Sequence, residues 1–382
     1  MIKIATVIGA RPQIIKAAAL SRAIKNKFSD KIKEIIIHTG QHYDENMSRV
    51  FFDELGIPSP NYNLNVGSGS HGKQTATMIS GIEEILLKEK PQAIVLYGDT
   101  NSTLAGAVAA SKIHVPVVHI EAGLRSFNKA MPEEINRIIC DHVSTLLFSP
   151  TQTGYANLLK EGFVENNPAP YTADHPKIYH CGDVMYDNSL YFSALADQKT
   201  EIIRQYNLVE NNFILATIHR NNNTDEPLRL NALFSSLHNI ATQYNKKVVL
   251  PLHPRTAKLL EQNLEKELYL KISDSSQFHI IPPVSFLEMI ALEKNAEIVM
   301  TDSGGVQKEA FYFEKPCVIL RPETEWIELV ECGTAIAADA DEKRIVDAYE
   351  TLTQNKNLKF PKLYGNGNAA EFICNEMLNC FN

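Results

Sequence analysis

No run in this 382-residue chain is long and apolar enough to span a bilayer. The six cysteines, at 140, 181, 317, 332, 374 and 380, are scattered. None forms a Cys-x-x-Cys pair that would suggest zinc, and together they make no dense disulfide framework. Basic residues are outnumbered, 37 to 45, for a net charge of −8. That argues against nucleic acid as a partner, because backbone binding needs a basic footprint. There is no internal repeat and no low-complexity tract. The first residues enter a strand-like run at once, Ile2–Ile8, without the layout of a signal peptide, so a reducing, cytoplasmic setting with no membrane partner is expected. What remains, 44% hydrophobic and 21% charged, is the composition of a globular protein, and its length favours two domains over one core.

Short apolar runs alternate with helical patterns along the chain. Strands are expected at Lys3–Ile8, Glu34–His38, Ala93–Tyr97, Val117–Ile120 and Leu146–Phe148, then at Phe213–Thr217, Lys247–Pro251, His279–Ile281, Ile298–Thr301 and Cys317–Leu320. Runs rich in Ile and Val with helices between them, such as Pro12–Lys25 and Gln74–Lys90, argue for parallel sheets buried on both faces. The fold class expected is α/β, with two doubly wound, Rossmann-like domains facing a cleft. The first domain would cover residues 1–184 and the second 185–366, and an amphipathic helix in 367–382 would pack back on the first.

In open α/β sheets ligands collect beyond the carboxyl ends of the strands. Thr301–Ala310, Thr-Asp-Ser-Gly-Gly-Val-Gln-Lys-Glu-Ala, is a strand that turns into a helix through Ser303, Gly304 and Gly305. Free N–H groups and the positive helix end make such a turn a phosphate site, though an ordinary strand-to-helix turn would also read so. Glu309, two turns in, suits a sugar diol. After the first strand, Arg11 and Lys16 are placed for a phosphate; the turn lacks a Gly-x-Gly-x-x-Gly fingerprint, which disfavours a dinucleotide. Asp99 and Glu121 follow the third and fourth strands, and Glu133 opens a helix in which Arg137 lies one turn on. Asp99 suits an N-cap and Glu133 a helix dipole, but the three together are poorly explained by capping. Crowded carboxyls push their pKa values apart and would supply an acid and a base. In the second half His219, Arg220, His253 and Arg255 follow consecutive strands and would make an anion site; no histidine pair has metal-ligand spacing.

The motifs Gly9-Ala-Arg-Pro, Gly98-Asp-Thr, Glu121-Ala-Gly-Leu-Arg, Pro132-Glu-Glu-Ile-Asn-Arg, His219-Arg, His253-Pro and the Thr301–Ala310 stretch occur in this order along nearly the whole chain. In them the sequence resembles the non-hydrolysing UDP-N-acetylglucosamine 2-epimerases, a family with the glycosyltransferase-B fold. The resemblance implies inversion at C2 of a UDP-linked 2-acetamido sugar without cofactor or metal. UDP leaves by anti elimination to a 2-acetamidoglycal and adds back after protonation of the other face. It also implies a homodimer. Carried over by position, Asp99, Glu121, Glu133 and His219 match catalytic residues. Arg11, Lys16, Arg137, Ser303, Gly304, Gly305 and Glu309 match contacts to the sugar and UDP, and His253 lies in a matching motif.

Three departures look like the branch acting on UDP-2,3-diacetamido-2,3-dideoxyglucuronic acid: Gly9-Ala-Arg-Pro-Gln13, His253-Pro-Arg-Thr256 and Arg321-Pro-Glu-Thr-Glu-Trp-Ile-Glu328. Arg255 is a cation that would meet the extra carboxylate. The family's Gln-His-Arg-x-Met segment, part of an allosteric site in some members, reads Gln41-His-Tyr-Asp-Glu-Asn-Met47, which puts activation by substrate in doubt. A UDP-N-acetylglucosamine epimerase is the nearest alternative. A glycosyltransferase of the same fold would keep Glu309 and the Ser-Gly-Gly turn but has no need of three carboxylates around C2.

Overall fold

The computed structural model describes residues 1–40, 56–252 and 254–382, the side chains at 254 and 255 excepted. The chain divides into two compact units, Met1–Asn188 with Lys362–Asn382, and Ser189–Pro361.

The first unit holds a seven-stranded parallel sheet of β1 (Ile2–Ile8), β2 (Ile32–His38), β3 (Tyr62–Asn63), β4 (Ala93–Tyr97), β5 (Val117–Ile120), β6 (Leu146–Ser149) and β7 (Lys177–His180). Their spatial order is β3-β2-β1-β4-β5-β6-β7. Both faces are covered, so β4, β5 and β6 are buried at every residue and read as apolar runs rather than alternations. On one face Met78, Ile82, Ile85 and Leu86, at helical spacing in His71–Glu89, pack with Ala5, Val7, Ile94 and Leu96 of the sheet. The helix Ala369–Phe381 packs on the helix Arg11–Ala23 of the same unit. Its start is held by Asp187, which accepts from the N–H groups of Ala369 at 3.2 Å and Ala370 at 2.8 Å.

The second unit repeats the plan with β8 (Phe213–Thr217), β9 (Lys247–Pro251), β10 (Phe278–Ile281), β11 (Ile298–Thr301), β12 (Cys317–Ile319) and β13 (Ala335–Ala337). All are parallel, in the order β10-β9-β8-β11-β12-β13. Leu230, Leu233, Phe234, Leu237 and Ile240, one stripe of the helix Pro227–Gln243, seal its core against Ile214, Leu250, Ile298 and Met300.

The ten expected strands are all present, and both sheets are doubly wound. Three further strands, β3, β7 and β13, each lie at a sheet edge and are two to four residues long. Chain order reverses between β1 and β4 in one sheet and between β8 and β11 in the other. Each reversal opens a crevice beyond the strand ends of its own sheet.

Candidate active site

At the first crossover, β1 ends in Gly9, where a Cβ would overlap the hydroxyls of Thr39 and Ser102. The turn is held by Gln13, which is 1% exposed. Its Oε1 accepts from the N–H groups of Gly9 at 2.9 Å and Ala10 at 3.2 Å. Its Nε2 donates to the Tyr97 carbonyl and the Thr103 hydroxyl, both at 3.0 Å. One amide thus ties the end of β1 to the end of β4, a task that needs an acceptor and a donor at once. Pro12 starts the following helix, where its missing N–H is harmless. That helix places Arg11 at the exposed rim and Lys16 one turn deeper, where Lys16 forms an ion pair with Glu121.

Glu121 leaves β5 in the left-handed region, at φ 77°, a conformation that costs free energy for a residue with a side chain. Across from it Gly98, at φ 61°, has room for no side chain: a Cβ would lie 3.0 Å from both Glu121 Oε2 and Lys16 Nζ. Asp99 follows Gly98 but does not cap the next helix; Thr100 does, accepting from the Thr103 N–H. The Asp99 carboxylate pairs instead with Arg137 at 2.5 Å, while Asn136 Nδ2 donates to the Asp99 carbonyl at 2.8 Å. Arg137 also reaches Glu134 at 3.1 Å. Burial would raise the Glu134 carboxyl, but hydrogen bonds from Ser126 and Phe127 and the Arg137 cation leave it below its ordinary value.

Asp99 and Glu121 each lie beside a cation, Arg137 and Lys16, and Arg137 is drawn to both carboxylates. Glu133 is exposed in the first turn of the helix Pro132–His142, with no ion pair or hydrogen bond among the described residues. The buried member of that acidic pair is Glu134, at 1% exposure, and it is engaged in holding the loop before the helix.

In the second unit His219 follows β8 and turns Nδ1 to Oδ1 of Asp302 at 3.0 Å. Asp302 is fully buried and also accepts from the Arg220 N–H at 3.0 Å and from Asn223 Nδ2 at 3.1 Å. Burial would raise its carboxyl, but these donors and the His219 ring bring it below the ordinary value. Just beyond, Ser303 is the N-cap of the helix Gly304–Tyr312 and contributes no side-chain cap. Its N–H donates to Thr301 Oγ1 at 2.9 Å. The segment from Arg321 to Trp326 packs onto this turn. Arg321 bonds Glu325 at 2.9 Å, and a Cβ on Gly304 would overlap the Glu325 carboxylate. Trp326 Nε1 donates to the Gly304 carbonyl at 3.0 Å, and Lys308 lies 4.1 Å over the indole ring. Glu309, half-buried on the same helix, faces the buried carboxyl of Glu293, which burial and then Glu309 itself hold well above the usual range.

His253, the Arg255 side chain and the Gln41–Met47 segment lie outside the described residues. Among the described residues no three His, Cys, Asp or Glu side chains gather as metal ligands, and no helix is long and apolar enough to cross a membrane.

The family model for UDP-N-acetylglucosamine 2-epimerase matches residues 24–378. The chain belongs to the UDP-N-acetylglucosamine 2-epimerase family. A relative in Pseudomonas aeruginosa, UDP-2,3-diacetamido-2,3-dideoxy-D-glucuronate 2-epimerase, is 49% identical over 97% of this chain and 98% of its own. The crystal structure of Methanocaldococcus jannaschii UDP-GlcNAc 2-epimerase in complex with UDP-GlcNAc and UDP superposes with a TM-score of 0.81 at 41% identity, covering 99% of each chain. A UGT transferase from Siraitia grosvenorii, in complex with UDP, is only 10% identical but reaches a TM-score of 0.62 over 100% of this chain and 95% of its own, a likeness of fold. The two Rossmann-like sheets are therefore those of the glycosyltransferase-B architecture shared by this family.

Within the family frame, sequence reasoning passed over Asp302 and the work of Gln13. Asp302 carries a usable signal: like Glu121 it directly follows a buried strand, where a carboxylate needs partners. Gln13 stood out only as the last residue of the Gly9–Gln13 departure, and nothing local shows that its amide spans two strands.

Proposed function

We propose that the protein inverts C2 of a UDP-linked 2-acetamido sugar, and that its substrate is UDP-2,3-diacetamido-2,3-dideoxyglucuronate. The observation that carries this reading is the cluster at the first crossover, two carboxylates each beside its own cation: Glu121 with Lys16 and Asp99 with Arg137. Inversion needs both kinds of group. A carboxylate takes the proton from C2 while the C1–O bond to UDP breaks and a C1=C2 double bond forms. Cations stabilise the charge gathering on the diphosphate. UDP oxygen then bonds C1 again as a proton is delivered to C2 from the opposite face.

His219, held through Nδ1, contributes its other ring nitrogen to the departing diphosphate. Ser303, Gly304 and Gly305 take the phosphates, as a helix start favours, and Glu309 takes the ribose diol. Arg11 assists at the diphosphate, and Glu133 serves from the exposed start of its helix. His253 and Arg255 are assigned to the anionic parts of the substrate, Arg255 to the uronate. Support for the uronate comes from the 49% identity to the Pseudomonas enzyme and from the Arg321–Glu328 sequence departure.

The test is incubation with the UDP-sugar in D₂O. Deuterium entering C2 of both epimers without an acceptor is the expected result; an unlabelled C2 sinks the reading. A direct comparison of kcat/KM for UDP-N-acetylglucosamine and for the diacetamido uronate decides the substrate. UDP-N-acetylglucosamine turning over as well or better would overturn the uronate assignment.

A further inference from the structure

A buried charged network lies behind the turns that carry Asp99 and Glu121. His119, on β5, is fully buried. Its Nδ1 is 2.6 Å from Asp141 Oδ1, and its Nε2 is 2.8 Å from the carbonyl oxygen of Gly98. A carboxylate and a carbonyl only accept, so both ring nitrogens must carry protons and the ring is an imidazolium. Burial opposes that charge, but Cys140 and Asp141 beside the ring override it and raise its proton affinity well above the ordinary range. Asp141, equally buried, receives the Gly123 N–H at 3.1 Å and the Arg125 guanidinium at 2.7 Å on its other oxygen. Arg125 goes on to Glu161 at 2.7 Å. Two cations face two anions, the last of them, Glu161, at the surface, so each charge in the chain of contacts has a partner.

The contacts land on the backbone that aims the chemistry. Gly98 immediately precedes Asp99, and Gly123 lies two residues beyond Glu121. All three of Gly98, Glu121 and Gly123 have positive φ, at 61°, 77° and 81°. At Gly123 a Cβ would overlap the Gly154 carbonyl, so that turn cannot relax toward another residue's geometry. A left-handed glutamate persists only where its surroundings over-determine it.

We propose that His119, Asp141 and Arg125 are positioning residues for the epimerisation. The imidazolium joins the Gly98 turn to Asp141, and Asp141 joins it to the Gly123 turn, so Asp99 and Glu121 are held in one fixed relation. This rests on the epimerase reading above, and the test separates the two.

The experiment measures kcat, KM and the UDP Kd for the wild type, H119Q, D141N and the double variant, together with ¹⁵N NMR of the wild-type histidine rings at neutral pH. Each single change is expected to lower kcat about 10- to 100-fold, as a small misplacement of reacting groups does. KM and the UDP Kd should stay within about threefold, since binding is not the step affected. The double variant leaves neither charge without its partner and should lose less than the product of the single losses. The NMR should show one ring with both nitrogens protonated. Variants that melt earlier but keep wild-type kcat, or a neutral His119 tautomer, would overturn the proposal; if a variant fails to fold, the ring NMR decides. A wild type that neither binds UDP nor takes deuterium into C2 sinks the epimerase reading, and this proposal with it. The first pattern of failure leaves that reading intact.

Discussion

His219 and Asp302 are joined through both ring and backbone: Nδ1 meets Oδ1 at 3.0 Å, and the His219 N–H lies 3.1 Å from Oδ2 of the same carboxylate. The carboxylate is dry while the imidazole side chain is 57% exposed, so one partner is fixed and the other presented. This is how an orienting acid serves a histidine: it accepts from Nδ1–H, fixes the ring and leaves Nε2 presented.

Asp302→Asn should therefore lower kcat/KM by about 100-fold or more while UDP still binds. Asp302 has a folded pKa below its ordinary 3.8, so its stabilising contribution is complete above that value and is lost as pH falls through the lower one. Urea titrations of wild type and variant should differ by a constant amount above about pH 5 and converge in stronger acid.

Glu121→Gln should cut turnover by about 10²- to 10⁴-fold, the range for a group that moves a proton. Lys16→Met should also slow turnover, and it leaves Glu121 without its counter-ion. The readout is the rate of deuterium entry at C2, with the melting temperature as the control for folding. Equal loss of exchange and of fold in Glu121→Gln would count against a chemical role.

Gln13→Glu tests the two-strand amide. A glutamate there would still accept from Gly9 and Ala10 but would face the Tyr97 carbonyl with an oxygen in place of a donor. The expected cost is about 1–3 kcal/mol, measured by urea denaturation. Burial holds the introduced carboxyl above its ordinary value, so the cost should grow as pH rises through and beyond about 4.3 and shrink below it.

Trp326→Ala removes a 7% exposed indole, its hydrogen bond to Gly304 and its stack under Lys308. A loss of about 3–5 kcal/mol is expected from the cavity. Because the Gly304 carbonyl loses its anchor, the UDP Kd should rise as well, which isothermal titration would detect.

The strands with Ile and Val runs were legible because a strand buried on both faces declares itself in its own composition. Three of the four edge strands were not; the fourth, Phe278–Ile281, was marked by its apolar residues. Tyr62–Asn63, Lys177–His180 and Ala335–Ala337 are short and pair on one side only, so few apolar residues mark them. The turns after β1, β4, β5 and β11 were readable for a similar local reason, since Gly, Pro and Ser with a neighbouring charge mark the end of a strand by themselves.

The sequence by itself determined which residues stand at the strand ends, Asp99, Glu121, His219 and the Ser303–Gly305 turn, and which lie on helices that follow, Lys16 and Arg137. Only the tertiary structure decided which of them meet. Lys16 and Glu121 are 105 residues apart, Arg137 and Asp99 38, and His219 and Asp302 lie on β-strand ends that become neighbours when β8 pairs with β11. It also separated Glu133, exposed, from Glu134, buried, though they are adjacent and chemically alike. Composition and spacing specify local conformation, whereas ion pairing depends on distances that exist only once the sheet has ordered its strands.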